Sequence, residues 1–200
     1  MSLNIDNVRG EKAARLLHQA FSTQGIHGHT EMPEDIAPEG IARGSLEQIL
    51  FITLTVSIDY QRDADKLWES SRQTYENPET RYLFNPKLLY EMPFSKIVDD
   101  MQIYKLSKKP EQDACIWNTV GLNFYKKWEG DPRKFLASCD WDAPSILSRL
   151  KEDSHPQNGK RAPDFPFLRG DKIGPLWLRM LRDNVGITQI RNLDKVPIPI

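Results

Sequence analysis

Apolar side chains recur every three to four positions along most of this chain, and that spacing predicts helices. Over Asn7–Phe21, Val8, Ala13, Leu16, Leu17, Ala20 and Phe21 share one helical face, and Gly25 offers a stop. Ser45–Ile58 is harder to read. Its core, Ile49-Leu50-Phe51-Ile52-Thr53-Leu54-Thr55-Val56, is β-branched and would pass for a buried strand on propensity. A helix is nevertheless expected because every neighbouring segment reads helical, Ser45 followed by Gln48 resembles a capping box and the run is long for a strand. Ala64, Leu67 and Trp68 carry the helical spacing through Asp63–Thr74.

A loop with Pro78, Pro86 and Pro93 follows. Phe94–Lys105 then reads as a short helix, with Ile97, Met101 and Tyr104 in register. Lys109-Pro110 starts a longer one, proline being suited to the first helical position. Trp117, Val120, Gly121, Phe124, Tyr125 and Trp128 line its apolar side, and Gly130-Asp131-Pro132 ends it. Those aromatics are read as core rather than as a stacking platform for bases. Ser145–Leu150 is another helical piece, Gln157-Asn158-Gly159-Lys160 marks a turn, and a last helix runs to about Asp183.

Six to eight short helices joined by brief loops, with no internal repeat, imply an all-α bundle. The expected domain organisation is one domain over residues 1–200, made of an N-terminal helix and acidic loop (1–44) and a helical core (45–200). Leu50, Leu54, Trp68, Ile97, Met101, Val120, Phe124, Trp177 and Leu181 are the expected interior.

Charge changes this picture only in its distribution. The net charge of −1 rules out a uniformly basic nucleic-acid binder. The first hundred residues carry 10 Lys/Arg against 16 Asp/Glu, and the second hundred 17 against 12. That asymmetry fits a polyanion-binding surface on the second half, and equally two faces of a soluble protein. Cys115 and Cys139 are the only cysteines, which excludes a disulfide framework and an all-cysteine metal site. Cys115, inside a helical pattern, is expected as a small core residue. The His27-x-His29 pair lacks a third spaced ligand and reads as solvated loop histidines, so no metal and no cofactor is expected. No apolar run reaches membrane-spanning length and no signal-peptide pattern is present, so the expectation is a soluble, cytoplasmic chain with no membrane partner.

The candidate chemistry lies in Phe165-Pro166-Phe167-Leu168-Arg169-Gly170-Asp171-Lys172, just ahead of the last helix. A glycine-bearing turn there delivers a lysine to a helix start, where unpaired N–H groups and the helix dipole favour phosphate. Such a lysine can hold phosphate or, if unprotonated, act as an amine nucleophile. A plain loop–helix junction with a solvated lysine carries the same residues.

The order of these elements resembles the endonuclease III type of helix–hairpin–helix DNA glycosylase over about residues 45–200. That family's core opens with a very apolar helix ending in a Leu-Ser-x-Gln-like motif, matched by Ser45–Asp59 with Val56-Ser57-Ile58-Asp59 at its end. Phe94–Leu106 and Pro110–Trp128 resemble the helices before its hairpin. The motif Leu-Pro-Gly-Val-Gly-x-Lys is approximated by Phe167–Lys172, which puts a degenerate helix–hairpin–helix element near 165–182. Val196-Pro197-Ile198-Pro199-Ile200 resembles the apolar stretch leading to the family's catalytic aspartate.

The resemblance implies binding of double-stranded DNA with a damaged or abasic site, and a flipped nucleotide. Lys172 matches the lyase lysine. Gly170 and the Ile173 amide are implied as phosphate contacts, with Arg169, Arg179 and Arg182 adding positive charge. The departures are Leu168 in place of the hairpin's first glycine, Asp171 beside the polyanion path, and Asp59 where the family wedges a glutamine into the duplex. The family's aspartate would follow Ile200, so little glycosylase or lyase activity is expected unless a longer chain supplies it. The alternative implied reading is a non-catalytic all-α module that keeps the scaffold for nucleic-acid or protein contacts.

Overall fold

The computed structural model describes residues 6–22 and 32–196. Two units are present, Met1–Ile36 and Ala37–Ile200. In the first, α1 (Asn7–Ser22) bears Arg15 paired to Glu11 at 2.5 Å, and Val8, Leu16 and Leu17 are exposed. The His27/His29 pair lies outside the described residues.

The second unit is built around α2 (Leu46–Val56), in which every residue from Gln48 to Val56 is buried. The strand-like run is therefore a helix, and its capping explains the choice. Ser45 Oγ accepts the Gln48 N–H at 3.1 Å, and Gln48 Oε1 reaches back to the Gly44 N–H at 2.7 Å. A helix apolar on all sides has to be covered on all sides. Here α3 (Ala64–Glu76), α6 (Pro110–Trp128), α9 (Ile173–Met180) and a 3-10 turn at Arg81–Phe84 do so. Phe51 stacks on Phe84 at 5.4 Å and meets Trp68 at 5.8 Å. Phe124, Phe135, Phe165 and Trp177 fill a second aromatic layer. All nine residues expected inside are buried.

The remaining α-helices of this unit are α4 (Pro86–Glu91), α5 (Phe94–Ile103), α7 (Pro132–Ser138) and α8 (Ala143–Glu152). Neither α4 nor α7 follows from periodicity, because each is too short to show a period. Their signals are local: Asn85 and Asp131 cap them, accepting from Lys87 and Leu88 and from Arg133, and Pro86 and Pro132 take the first helical position. Among the described residues the strands are those of an antiparallel hairpin, β1 (Ser154–Gln157) and β2 (Lys160–Pro163). Its turn residues Asn158 and Gly159 have φ of 49° and 75°, the left-handed pair a tight two-residue hairpin needs.

Cys115 is exposed, which corrects its expected place in the core. The buried face of α6 runs through Ala114, Ile116, Trp117, Val120 and Phe124, and Cys115 lies off it. Among the described residues no helix is long and apolar enough to cross a membrane.

Candidate functional site

Asp164 fixes the start of the Phe165–Lys172 turn. Its carboxylate is fully buried, accepts the Lys127 ammonium and lies 3.0 Å from His155 Nδ1. Its carbonyl accepts Asn123 Nδ2 at 3.0 Å, and its N–H donates to Asp153 O at 3.0 Å. Phe165 and Leu168 then bury themselves in the core. The sequence aligns Leu168 with the hairpin's first glycine, but Leu168 is an anchor. The left-handed backbone falls one residue earlier, on Phe167 at φ 60°. Gly170 turns the chain, donating to Phe167 O at 2.8 Å and accepting from Gly174 N–H at 3.0 Å.

The first helical bond of α9 follows, from Leu176 N–H to Lys172 O at 3.2 Å. The amides of Asp171, Lys172 and Ile173 lie ahead of it and are the orphan donors that a helix start carries. Lys172 directly precedes α9 and is exposed, as is Arg169, whereas Ile173 is buried and offers only its backbone. Gly174 sets how closely this end packs: an added Cβ would come 2.8 Å from Leu147 Cδ2 and 3.0 Å from Leu168 O. Asp171, feared as a neighbour of the polyanion path, is turned toward Lys151 at 2.6 Å. Arg179 donates to Pro175 O at 3.3 Å and to Val196 O at 3.0 Å, and Arg182 pairs with Asp183 at 2.7 Å. Those two guanidiniums are engaged, and Arg169 and Lys172 are the exposed cations of the turn.

The end of α2 meets this turn. Tyr60 stacks on Phe167 with ring centroids 4.2 Å apart and planes 18° from parallel. The Tyr60 hydroxyl donates to Asp113 Oδ1 at 2.5 Å. Asp113 is buried near the start of α6 and also accepts from Ser107 Oγ at 3.2 Å, Lys108 N–H at 2.8 Å and Lys109 N–H at 2.9 Å. Burial and this hydrogen bond push the Tyr60 phenol above its ordinary range. Lys109 Nζ lies 5.5 Å over the Tyr60 ring, close enough for a cation–π contact. Ile58, Tyr60, Gln61, Arg62, Lys108, Lys109 and Asp113 form a small recess here, with Lys172 outside its wall.

Asp59 is half-buried, and burial pushes its carboxyl up against the opposing pull of the Arg62 and Lys172 charges. A carboxyl that holds its proton more tightly folded than unfolded weakens the fold as pH rises past its ordinary value. Asp59→Asn is therefore expected to raise the melting temperature at neutral pH. The gain should vanish below the ordinary carboxylate range, where Asp59 is protonated in both states. A gain that persists unchanged in acid would show that Asp59 ionisation is not its source.

Sequence reasoning reached Lys172, Arg169 and Gly170 but not the groups across from them. Tyr60, Arg62, Lys109 and Asp113 carry no motif, although the basic run Lys105-Leu106-Ser107-Lys108-Lys109 was visible. Among the described residues no group of three or more His, Cys, Asp or Glu could hold a metal ion. Comparison with known proteins finds no matching family model, no matching curated protein and no matching solved structure.

Proposed function

We propose that this chain binds double-stranded DNA at a damaged or abasic site, as a relative of the endonuclease III-type helix–hairpin–helix glycosylases. The observation that carries the reading is the Tyr60–Phe167 stack, which joins the end of the apolar helix to the lysine-bearing turn. These are the two segments that the resemblance assigns to the lesion. A phosphate at this turn would meet the orphan amides ahead of α9 and the exposed Lys172 and Arg169. With an abasic sugar in its ring-opened form, the Lys172 amine would add to the C1′ aldehyde and expel water, leaving an imine that borohydride reduces to a stable crosslink.

Lys172→Ala and Arg169→Glu are each expected to weaken binding to an abasic duplex about three- to tenfold, and to reduce the salt slope by about one. Unchanged affinity for both variants across a salt series would remove the turn from the interface. The exposure of Lys172 favours a second reading, in which its ammonium holds phosphate and does no chemistry. Borohydride trapping separates the two: a crosslink lost in Lys172→Ala supports the lyase role, and salt-sensitive binding without a crosslink supports binding alone.

A further inference from the structure

A groove of about 550 Å³ runs between the start of α3 and the α5–α6 connection, with Arg62, Lys66, Lys105 and Lys108 on its walls. Its two acidic residues, Asp63 and Glu69, are already engaged. Glu69 accepts Arg72 and Gln73 at 2.7 Å each, which holds its carboxyl below the ordinary range. Asp63 caps α3 by accepting the Lys66 N–H at 3.3 Å, and its second oxygen stands 3.6 Å from the Lys66 ammonium.

Lys66 is shared with Asp63, while among the described residues Arg62, Lys105 and Lys108 form no ion pair. Lys66 and Lys105 are exposed, and Lys108 Nζ donates only to a neutral acceptor, Gln61 O at 2.6 Å. Arg62 is half-buried and held by Leu106 O at 2.9 Å, so it cannot swing away to dilute the charge. Four cations against two carboxylates leave this concave surface net positive, which concentrates anions there.

The groove is also continuous with the turn. Arg62 and Lys108 line the recess that contains Tyr60, Lys109 lies over the Tyr60 ring, and that ring stacks on Phe167. A single phosphate would meet only one part of this run. A polyanion with regularly spaced charges would meet all of it. The geometry points to a phosphodiester track: the DNA strand that leaves the Lys172 turn lays its backbone along Lys109 and Arg62 into the groove walled by Lys66, Lys105 and Lys108. This inference rests on the DNA-binding reading above and extends its footprint beyond the turn.

The test is fluorescence anisotropy with a short abasic-analogue duplex across a salt series, using the full chain and a Lys66→Glu/Lys105→Glu variant. Both positions are exposed, and a melting curve checks that the variant folds like the wild type. The expected result is at least about a tenfold loss of affinity at low salt and a fall of about two in the slope of log K against log salt, near 0.9 per lost phosphate contact. If the variant binds like the wild type while Arg169→Glu is weakened, the track is overturned and the turn keeps its role. If the wild-type chain shows no salt-dependent DNA binding, both readings fall together. If the variant loses binding to phosphatidylserine vesicles and keeps its DNA affinity, the groove serves a membrane surface and the track is overturned.

Discussion

Trp177→Ala is expected to cost about 3–5 kcal/mol, the usual penalty for emptying a fully buried indole site. The ring belongs to the second aromatic layer, 6.4 Å from the Phe124 ring centroid, and no part of it reaches solvent. Its Nε1–H donates to Thr53 Oγ1 at 2.9 Å, and Thr53 in turn donates to Ile49 O at 2.6 Å. Truncation therefore leaves a cavity and removes a donor from a buried hydroxyl. For a domain of this size the melting temperature should fall by roughly 10 °C. Trp177→Phe keeps most of the volume and is expected to lose about 1–2 kcal/mol with the hydrogen bond. Because α9 begins at the Lys172 turn, the proposed DNA binding should weaken with stability in Trp177→Ala and be largely retained in Trp177→Phe. Melting of Trp177→Ala within about 2 °C of the wild type would mean that α9 does not depend on this contact.

The second large effect belongs to Asp113. This one buried carboxylate gathers four donors, from Tyr60, Ser107, Lys108 and Lys109, and so ties the end of α2 to the α5–α6 connection. Asp113→Ala strands all four, and a loss of about 2–4 kcal/mol is expected, since water can reach some of them near the surface. Asp113→Asn should recover only part of this, because its amide nitrogen faces donors. A spectroscopic sign separates the hydrogen bond from general destabilisation. Burial and the Asp113 contact together raise the Tyr60 phenol, so Asp113→Ala should move one tyrosine back toward its ordinary range in an ultraviolet titration of the folded chain. A titration curve identical to the wild type would show that the bond does not govern Tyr60.

Each effect includes one contact between residues far apart in the chain, Trp177 to Thr53 and Tyr60 to Asp113, and this marks the limit of what the sequence discloses. The helical nature of Leu46–Val56 was legible despite its β-branched residues. Ser45 and Gln48 announce a helix start within a few residues of themselves, and the run is long for a strand and flanked by segments that read helical. The buried faces of α5 and α6 were legible for the same reason, since a 3.6-residue period is a property of neighbouring positions. Lys172 at the head of α9 was legible because the turn and the helix it introduces are contiguous.

Tertiary structure decided the rest. Cys115 sits in a helical pattern, but only the way α6 rolls onto its neighbours settles which side of the pattern is core. The left-handed residue of the turn is Phe167 rather than Leu168 because Leu168 is drawn into the core and Phe167 finds a ring to stack on in Tyr60. Tyr60 and Asp113 are 53 residues apart, and Trp177 and Thr53 are 124 apart. No local preference of either partner encodes such pairings. By itself the sequence determined the longer helices, most of their buried positions and where the turn lysine stands. What faces that lysine — Asp59, and through Tyr60 the cations of the α5–α6 connection — was decided only when α2 was enclosed. Enclosing a helix buried from Gln48 to Val56 leaves the polar segment after it nowhere to emerge except against the segments that cover it.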